Sequence, residues 1–404
     1  MDFNYSEEQD AVRALADRIF SERCTHERLK EIERAAGEEG PVDRTLWREL
    51  AQAGLLGIQL SEDDGGGGLD FVAACLVIEA AGRTAAYVPV IETMVYAAAP
   101  IAHFGTPAQR QSWLPGVNSG DVFFTAALAE LAGAVVVPGG TSPATTAVAQ
   151  EEGTWVLHGT KACVPAAMVA TAILIPATCT APDGSAAGSG VFIVDADAEG
   201  LVMRRQMTAS GRPEAVLELS GVMVGVDRLL GGATVDGAAV ITYISELATT
   251  ALCIMEAGVC AAALALTSEY TKTRLQFERP IATFQAVGQR AADAYVDTEA
   301  IRLTAWQAAS RLSAGLPASP EVAVAKYWAA EGGQRVVHAA AHLHGGVSLD
   351  RNYPLHRYFL LTEHIELTLG GANESLRTLG RILAEVPASQ PGAGSSPGAG
   401  SSPG

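Results

Sequence analysis

Two short stretches hold the side chains best suited to binding chemistry. RLQFERPIATFQ contains Arg274, Gln276, Phe277, Phe284 and Gln285 around a break at Pro280, and AAHLHGGVSLD contains His342, His344, Gly345 and Gly346. The guanidinium of Arg274 is suited to charge-assisted bonds with a pyrophosphate. Taken alone, an arginine at a helix C-terminus also serves the helix dipole and solubility. Two histidines two positions apart suggest a metal, but on a helix they diverge by about 200°, and no acidic or cysteine ligand stands at a useful spacing. The diglycine lets backbone approach a ligand closely. In SEDDGGGGLD the four glycines Gly65 to Gly68 could cradle a phosphate, but no Lys-Ser or Lys-Thr follows and no strand–glycine–helix context surrounds them. A flexible turn is the expectation there.

The elements around these stretches fall into three zones. Ser6 with Gln9 opens a helix by a capping box, and Val12, Leu15, Ile19 and Phe20 repeat at helical spacing. Further helices are predicted over 44–53 and 71–81. After Gly120 the pattern shortens to β-branched or alternating runs at 123–128, 155–161, 169–176, 191–195, 201–207 and 215–224, separated by Gly, Pro and acidic turns. Residues 180–189, TAPDGSAAGS, are expected to form an exposed turn. Helical spacing returns near Thr234 and runs to about Leu383, broken at Pro280, Pro317 to Pro320 and Pro354, which suggests four long helices in a bundle. The zones are 1–118 (helical), 119–232 (β) and 233–386 (helical bundle), followed by a Pro/Gly/Ser tail, 387–404, too poor in apolar residues to offset the entropy of ordering.

The chain has 404 residues and 49% hydrophobic content, enough for a large core. A net charge of −18 argues against general electrostatic binding to nucleic acid or an anionic membrane. The six cysteines show no CxxC spacing and read as reduced, mostly core residues. The N-terminus has acids where an export signal needs positive charge, so a cytoplasmic location is expected. Residues 247–267 are apolar enough to invite a membrane reading, but they are alanine-rich and carry Glu256 in the middle, so a buried bundle helix is expected.

In residue type and spacing, Arg274, Gln276, Phe277, Arg279, Pro280, Phe284 and Gln285 resemble a segment of the acyl-CoA dehydrogenase family. HLHGG resembles that family's Gln-x-x-Gly-Gly, with His342 in the place of the Gln. The likeness extends from Asp2 to about Glu385 and includes GTKACV, VFIVDADAEGL and GGANESLRTLGRILAE. It implies a mixed α and β fold of an N-terminal helical domain, a central β domain and a C-terminal four-helix bundle. It also implies FAD as cofactor, with Arg274, Gln276, Phe277, Phe284, Gln285, His342, Gly345 and Gly346 against its ADP half, and no metal.

The family's reaction removes the α-proton of an acyl-CoA with a carboxylate base while the β-hydrogen leaves as hydride to the flavin. One branch carries its base where this chain has Gly370, and the other where it has Ala248. Glu246 is the weak remaining candidate, turned about 200° from Ala248 on a helix. The family's flavin-ring loop, Leu-Thr-Glu-Pro followed by Gly-Ser-Asp, is here Leu128, Ala129, Glu130 and Leu131 with no Gly-Ser-Asp, and the threonine after GTK is Pro165. The resemblance implies that the ADP half of each FAD is held by a neighbouring subunit. This chain keeps the groups that reach into a neighbour and lacks those that serve its own ring. The leading expectation is a subunit that pairs with a catalytic paralogue as an α2β2 assembly, acts on an acyl-CoA such as a steroid side-chain thioester, and passes electrons to an electron-transfer flavoprotein. The alternatives are a self-sufficient homotetramer using Glu246 or another acid, and a flavin-free assembly or binding module.

Overall fold

A computed structural model describes residues 4–130, 142–150 and 153–385. Leu131 and the Pro/Gly/Ser tail lie outside these residues. Helix α1 (Glu7–Arg23) opens with the expected capping box: Gln9 N donates to Ser6 Oγ at 3.2 Å and Ser6 N to Gln9 Oε1 at 3.1 Å. Such a cap contributes about 1 kcal/mol. Then come α2 (His26–Ala35), α3 (Arg44–Gln52) and α4 (Phe71–Arg83), the last two where helical spacing placed them. A π-helical run, Ile91–Ala98, leads into α5 (Ala99–Phe104), and α6 (Pro107–Ser119) follows.

The glycine run departs from its expectation. Its amides are consumed internally, Gly65 to Glu62 O, Gly66 to Ser61 O, Gly67 to Gly57 O and Gly68 to Leu60 O. A Cβ on Gly66 would lie 2.4 Å from Leu60 O. The segment is therefore a closely hydrogen-bonded turn rather than a flexible one, and it has no free amides for a phosphate.

The β zone contains β1 (Phe124–Ala126), β2 (Thr146–Ala149), β3 (Thr154–Pro165), β4 (Ala172–Thr180), β5 (Ala186–Asp195), β6 (Leu201–Gln206) and β7 (Glu214–Gly225). β5 pairs along one edge of β4, while β1 and β2 share the other, at Phe124↔Ala172 and Thr146↔Thr178. From β2 the sheet continues antiparallel through β3 and β7 to β6. In β7 the inward residues are Ala215, Leu217 and Leu219, then Val222 and Val224. The switch from odd to even positions follows from a bulge opposite Leu157/His158, where Gly221 takes φ +73°. Strand β2 had no counterpart among the predicted runs. The expected turn over 180–189 is shorter than anticipated, since β4 keeps Thr180 and β5 starts at Ala186.

Helix α7 (Gly237–Thr273) is the axis of the C-terminal zone. It is long and apolar enough to cross a membrane by length and composition, yet 83% of its most apolar stretch is buried inside the fold. It approaches α4 so closely that a Cβ on Gly82 would sit 2.2 Å from Met255 O, and one on Gly258 2.3 Å from Glu79 O. After a short hairpin, β8 (Leu275–Gln276) and β9 (Arg279–Pro280), comes α8 (Gln285–Ser313). Helix α9 (Ser319–Tyr327) continues through a π-helical turn into α10 (Gly333–His344), and α11 (Leu355–Leu367) and α12 (Ala372–Glu385) end the described chain. The expected four-helix bundle is present, and one further helix is added to it. α7, α8, α9 with α10, and α11 form the bundle, and α12 is a fifth helix packed on α9. The chain breaks between α11 and α12 because Leu369 (φ +58°) and Gly370 (φ +97°) both take left-handed conformations.

Candidate cofactor-binding site

At the end of α7, Arg274 leaves helical geometry (φ −72°, ψ 120°) and the chain turns back through the β8–β9 hairpin, with Gln276 opposite Arg279. The two turn residues, Phe277 (φ +52°) and Glu278 (φ +65°), are both left-handed. Two-residue hairpin turns of this kind normally take Asn-Gly, and a non-glycine residue there costs about 1–2 kcal/mol. What the strain preserves is an aromatic side chain in solvent: Phe277 is 87% exposed. Its ring meets Phe284 edge-on at 6.1 Å between centroids, and the Arg279 guanidinium lies 4.2 Å above the Phe284 ring. Arg274, Gln276 and Gln285 are exposed, and Gln276 Nε2 donates only to its neighbour's carbonyl, Leu275 O, at 2.8 Å.

The diglycine segment lies at the same end of the bundle. Tyr270, one turn before Arg274, stacks on His344 at 4.3 Å, and its hydroxyl donates to His344 O. His344 is buried, with Nδ1 against Ala340 O (2.8 Å) and Nε2 against the Tyr353 hydroxyl (3.1 Å). Both ring nitrogens are therefore occupied, and the residue locks the two motifs together. His342 is exposed at the C-terminal end of α10. Gly345 takes φ +61°, ψ −141°, and a Cβ on either glycine would meet nothing within 4 Å. The structure thus gathers a cation, carboxamides, aromatic rings and accessible backbone on one outward face. A set of groups of this composition suits an ADP-like group.

The positions expected to serve this chain's own flavin ring and acid–base chemistry are arranged differently. Ala248 is fully buried in the core. Glu246 is half-buried and accepts from Ser319 Oγ, on α9, and burial raises its pKa. Pro165, at the end of β3, lines a space of only about 20 Å³ together with Glu92, Arg212, Glu214 and His364. That is well below the roughly 300–1,000 Å³ of small-molecule pockets. His364 Nε2 lies 3.4 Å from Glu214 Oε1, and its Nδ1 is 3.3 Å from Ser210 Oγ. Burial, with Glu92 nearby, pushes Glu214 up to about 7. Burial, with the charges of Arg212 and Lys326, brings His364 down to about 4.

Glu130 and Glu256 stand in the sequence reading without their buried partners, and Lys161 and Lys326 escape it altogether. Lys161 and Glu130 form a buried ion pair at 2.6 Å. Glu130 also accepts from Ala144 N, Thr145 N and Thr145 Oγ1, which ties the chain beyond the missing loop motif to β3. Burial disfavours its charge, but Lys161 and the two amides hold its pKa below the usual carboxylate value. Lys161 at an inward position of an alternating strand was the available signal. Glu256, in the middle of α7, accepts from Thr362 Oγ1 (2.8 Å) and Cys260 Sγ (3.0 Å). Lys326 lies buried nearby and donates to Ile365 O and Glu366 O. Of the cysteines, Cys75, Cys179, Cys253 and Cys260 are buried, Cys24 is half-buried and Cys163 is exposed.

The sequence matches three domain families in order: Acyl-CoA dehydrogenase, N-terminal domain over residues 6–121, middle domain over 139–220, and C-terminal domain over 236–383. It is 38% identical over 397 residues to acyl-CoA dehydrogenase FadE27 of Mycobacterium tuberculosis, covering 96% of this chain and 100% of that protein. Among solved structures, it resembles a chain of the ChsE4-ChsE5 complex from Mycobacterium tuberculosis (39% identity, TM-score 0.87, covering 96% of this chain and 100% of that one). It also resembles a chain of the Tcur3481-Tcur3483 steroid ACAD (42% identity, TM-score 0.84, covering 94% and 98%). With the helical, β and helical zones in the family's order and matches over most of its length, the chain belongs to the acyl-CoA dehydrogenase family of FAD-dependent oxidoreductases.

Proposed function

We propose that this chain is the non-catalytic half of a heteromeric acyl-CoA dehydrogenase. It lends Arg274, Gln276, Phe277, Phe284, Gln285, His342, Gly345 and Gly346 to the ADP half of an FAD whose ring lies in a catalytic paralogue. The observation that carries this reading is a contrast within one molecule. The outward face at the end of α7 is open, with Phe277 87% exposed on a strained turn, whereas the space beside Pro165 is about 20 Å³. FAD, when bound, supplies the hydride acceptor. This chain's own residues bind and orient: Arg274 offers charge to the pyrophosphate, and the Gly345–Gly346 backbone admits close approach.

The likeness to chains of a ChsE4-ChsE5 complex and of a two-component steroid ACAD supports a paralogous partner and a steroid side-chain CoA thioester as substrate. An α2β2 assembly that hands electrons to an electron-transfer flavoprotein completes the proposal. The self-sufficient alternative depends on Glu246. That carboxylate is engaged by Ser319, and its side chain points into a space shared by α7, α9 and α12. Arg274→Ala tests the site. In the complex it should lower bound flavin at least tenfold, the scale of a lost charge-assisted bond, without shifting the chain's unfolding midpoint, because Arg274 is exposed. Unchanged flavin content would sink the shared-site reading.

A further inference from the structure

Beside the closed space at Pro165 lies a larger cavity of about 440 Å³, where the segment after α2, the β6–β7 loop and the start of α11 meet. Its walls carry Arg205, Arg212, Arg351 and Arg357 against one carboxylate, Glu33, in a chain of net charge −18. That carboxylate is already taken. Arg357 grips it in fork geometry (Nη2 to Oε2 3.0 Å, with Nε on Oε1), and the Tyr87 hydroxyl donates to it at 2.9 Å.

Among the described residues, the other three arginines have no carboxylate at ion-pair distance. Arg205 donates from Nη1 to Gly37 O at 2.8 Å, and its Nε is buried without a hydrogen-bond partner. Arg212 donates from Nη2 to Ala86 O at 2.9 Å and lies 5.6 Å over the Tyr87 ring. Arg351 is exposed at the rim. Burial disfavours the charge of Arg212, and Tyr87 and Glu92 offset this only at longer range than an ion pair, so an oxyanion would add the direct counter-charge. The wall also includes Met207, Leu360 and Leu361, so the space is not purely polar. Its volume falls in the range of small-molecule sites.

We propose that this cavity binds a small organic oxyanion, a carboxylate or phosphate ester with a short apolar body, held by Arg205, Arg212 and Arg351. The site is separate from the face at the end of α7, and the proposal holds whether or not that face serves a partner. Calorimetric titration of the full-length chain at low salt, with sodium hexanoate in one arm and inorganic phosphate in the other, tests it. The expected result is saturable binding of at least one probe, one site per chain. Arg212→Gln and Arg351→Gln should each weaken binding about tenfold, and the exposed control Arg48→Gln should leave it unchanged. Tighter binding of hexanoate assigns the ligand as a carboxylate, and tighter binding of phosphate assigns a phosphoryl group. Arg351→Gln carries the test if Arg212→Gln does not fold. Failure of both probes to bind, or binding that survives both substitutions, overturns the proposal.

Discussion

At position 370 the backbone takes φ +97°, and a Cβ added there would lie 3.4 Å from Glu374 Cγ. A glutamate there would be strained by about 1–2 kcal/mol, with its Cβ packed against the Glu374 side chain. Gly370→Glu in the isolated chain is therefore expected to yield no acyl-CoA dehydrogenation above background and to lower the unfolding midpoint. A dehydrogenating Gly370→Glu chain would contradict this view. Burial pushes Glu256 up to about 8, against hydrogen bonds from Cys260 and Thr362 and the charge of Lys326. Below about 4.5 the carboxyl is protonated both folded and unfolded and contributes no pH dependence. Between 4.5 and about 8 only the unfolded state loses the proton, so stability falls as pH rises. Urea titrations across that window should show a decline in the parent chain, of order a few kcal/mol in total, that is flattened in Glu256→Gln. At this scale the candidate binding residues were readable because Arg274, Phe277 and Gly345 keep fixed spacings within short stretches. Arg212, Glu214 and His364 were not, because distant segments bring them together.

The α7–α8 connection is an element whose conformation works against its own stability. Phe277 and Glu278 occupy a turn suited to Asn-Gly. Replacing both with Asn-Gly should raise chain stability by about 1–2 kcal/mol while lowering flavin retention in the complex. A variant that gains stability and keeps its flavin would show that the ring has no part in binding. The α4–α7 crossing is set by Gly82 and Gly258, and Gly258→Ala would place Cβ 2.3 Å from Glu79 O. A loss of about 1–3 kcal/mol is expected by denaturant titration. Most elements were legible from periodicity. The exceptions include α2, α5 and α6, for which no helical run was predicted, β2, which spans only Thr146–Ala149 and is too short to register as an alternating run, and α12, set off from α11 by the backbone at Leu369 and Gly370 rather than by a proline. The glycine run looked flexible by composition, but its order comes from amides that bond back to residues 57–62.

For the whole molecule, three consecutive zones meet around a cleft that is closed at Pro165 and remains open as the arginine-lined cavity, while the bundle presents its α7 end outward. The zones and their order could be read from the change in hydrophobic period after Gly120 and its return near Thr234. The closed cleft could not, since it depends on packing between zones. If this chain completes another subunit's flavin site and has none of its own, the decisive comparison is between the chain purified alone and the chain co-expressed with a paralogue that retains the catalytic glutamate. Flavin content and acyl-CoA dehydrogenase activity are measured in both. Alone, the chain should be colourless and inactive, and together the two should hold one FAD per pair and be active. A yellow, active chain by itself would contradict the shared site.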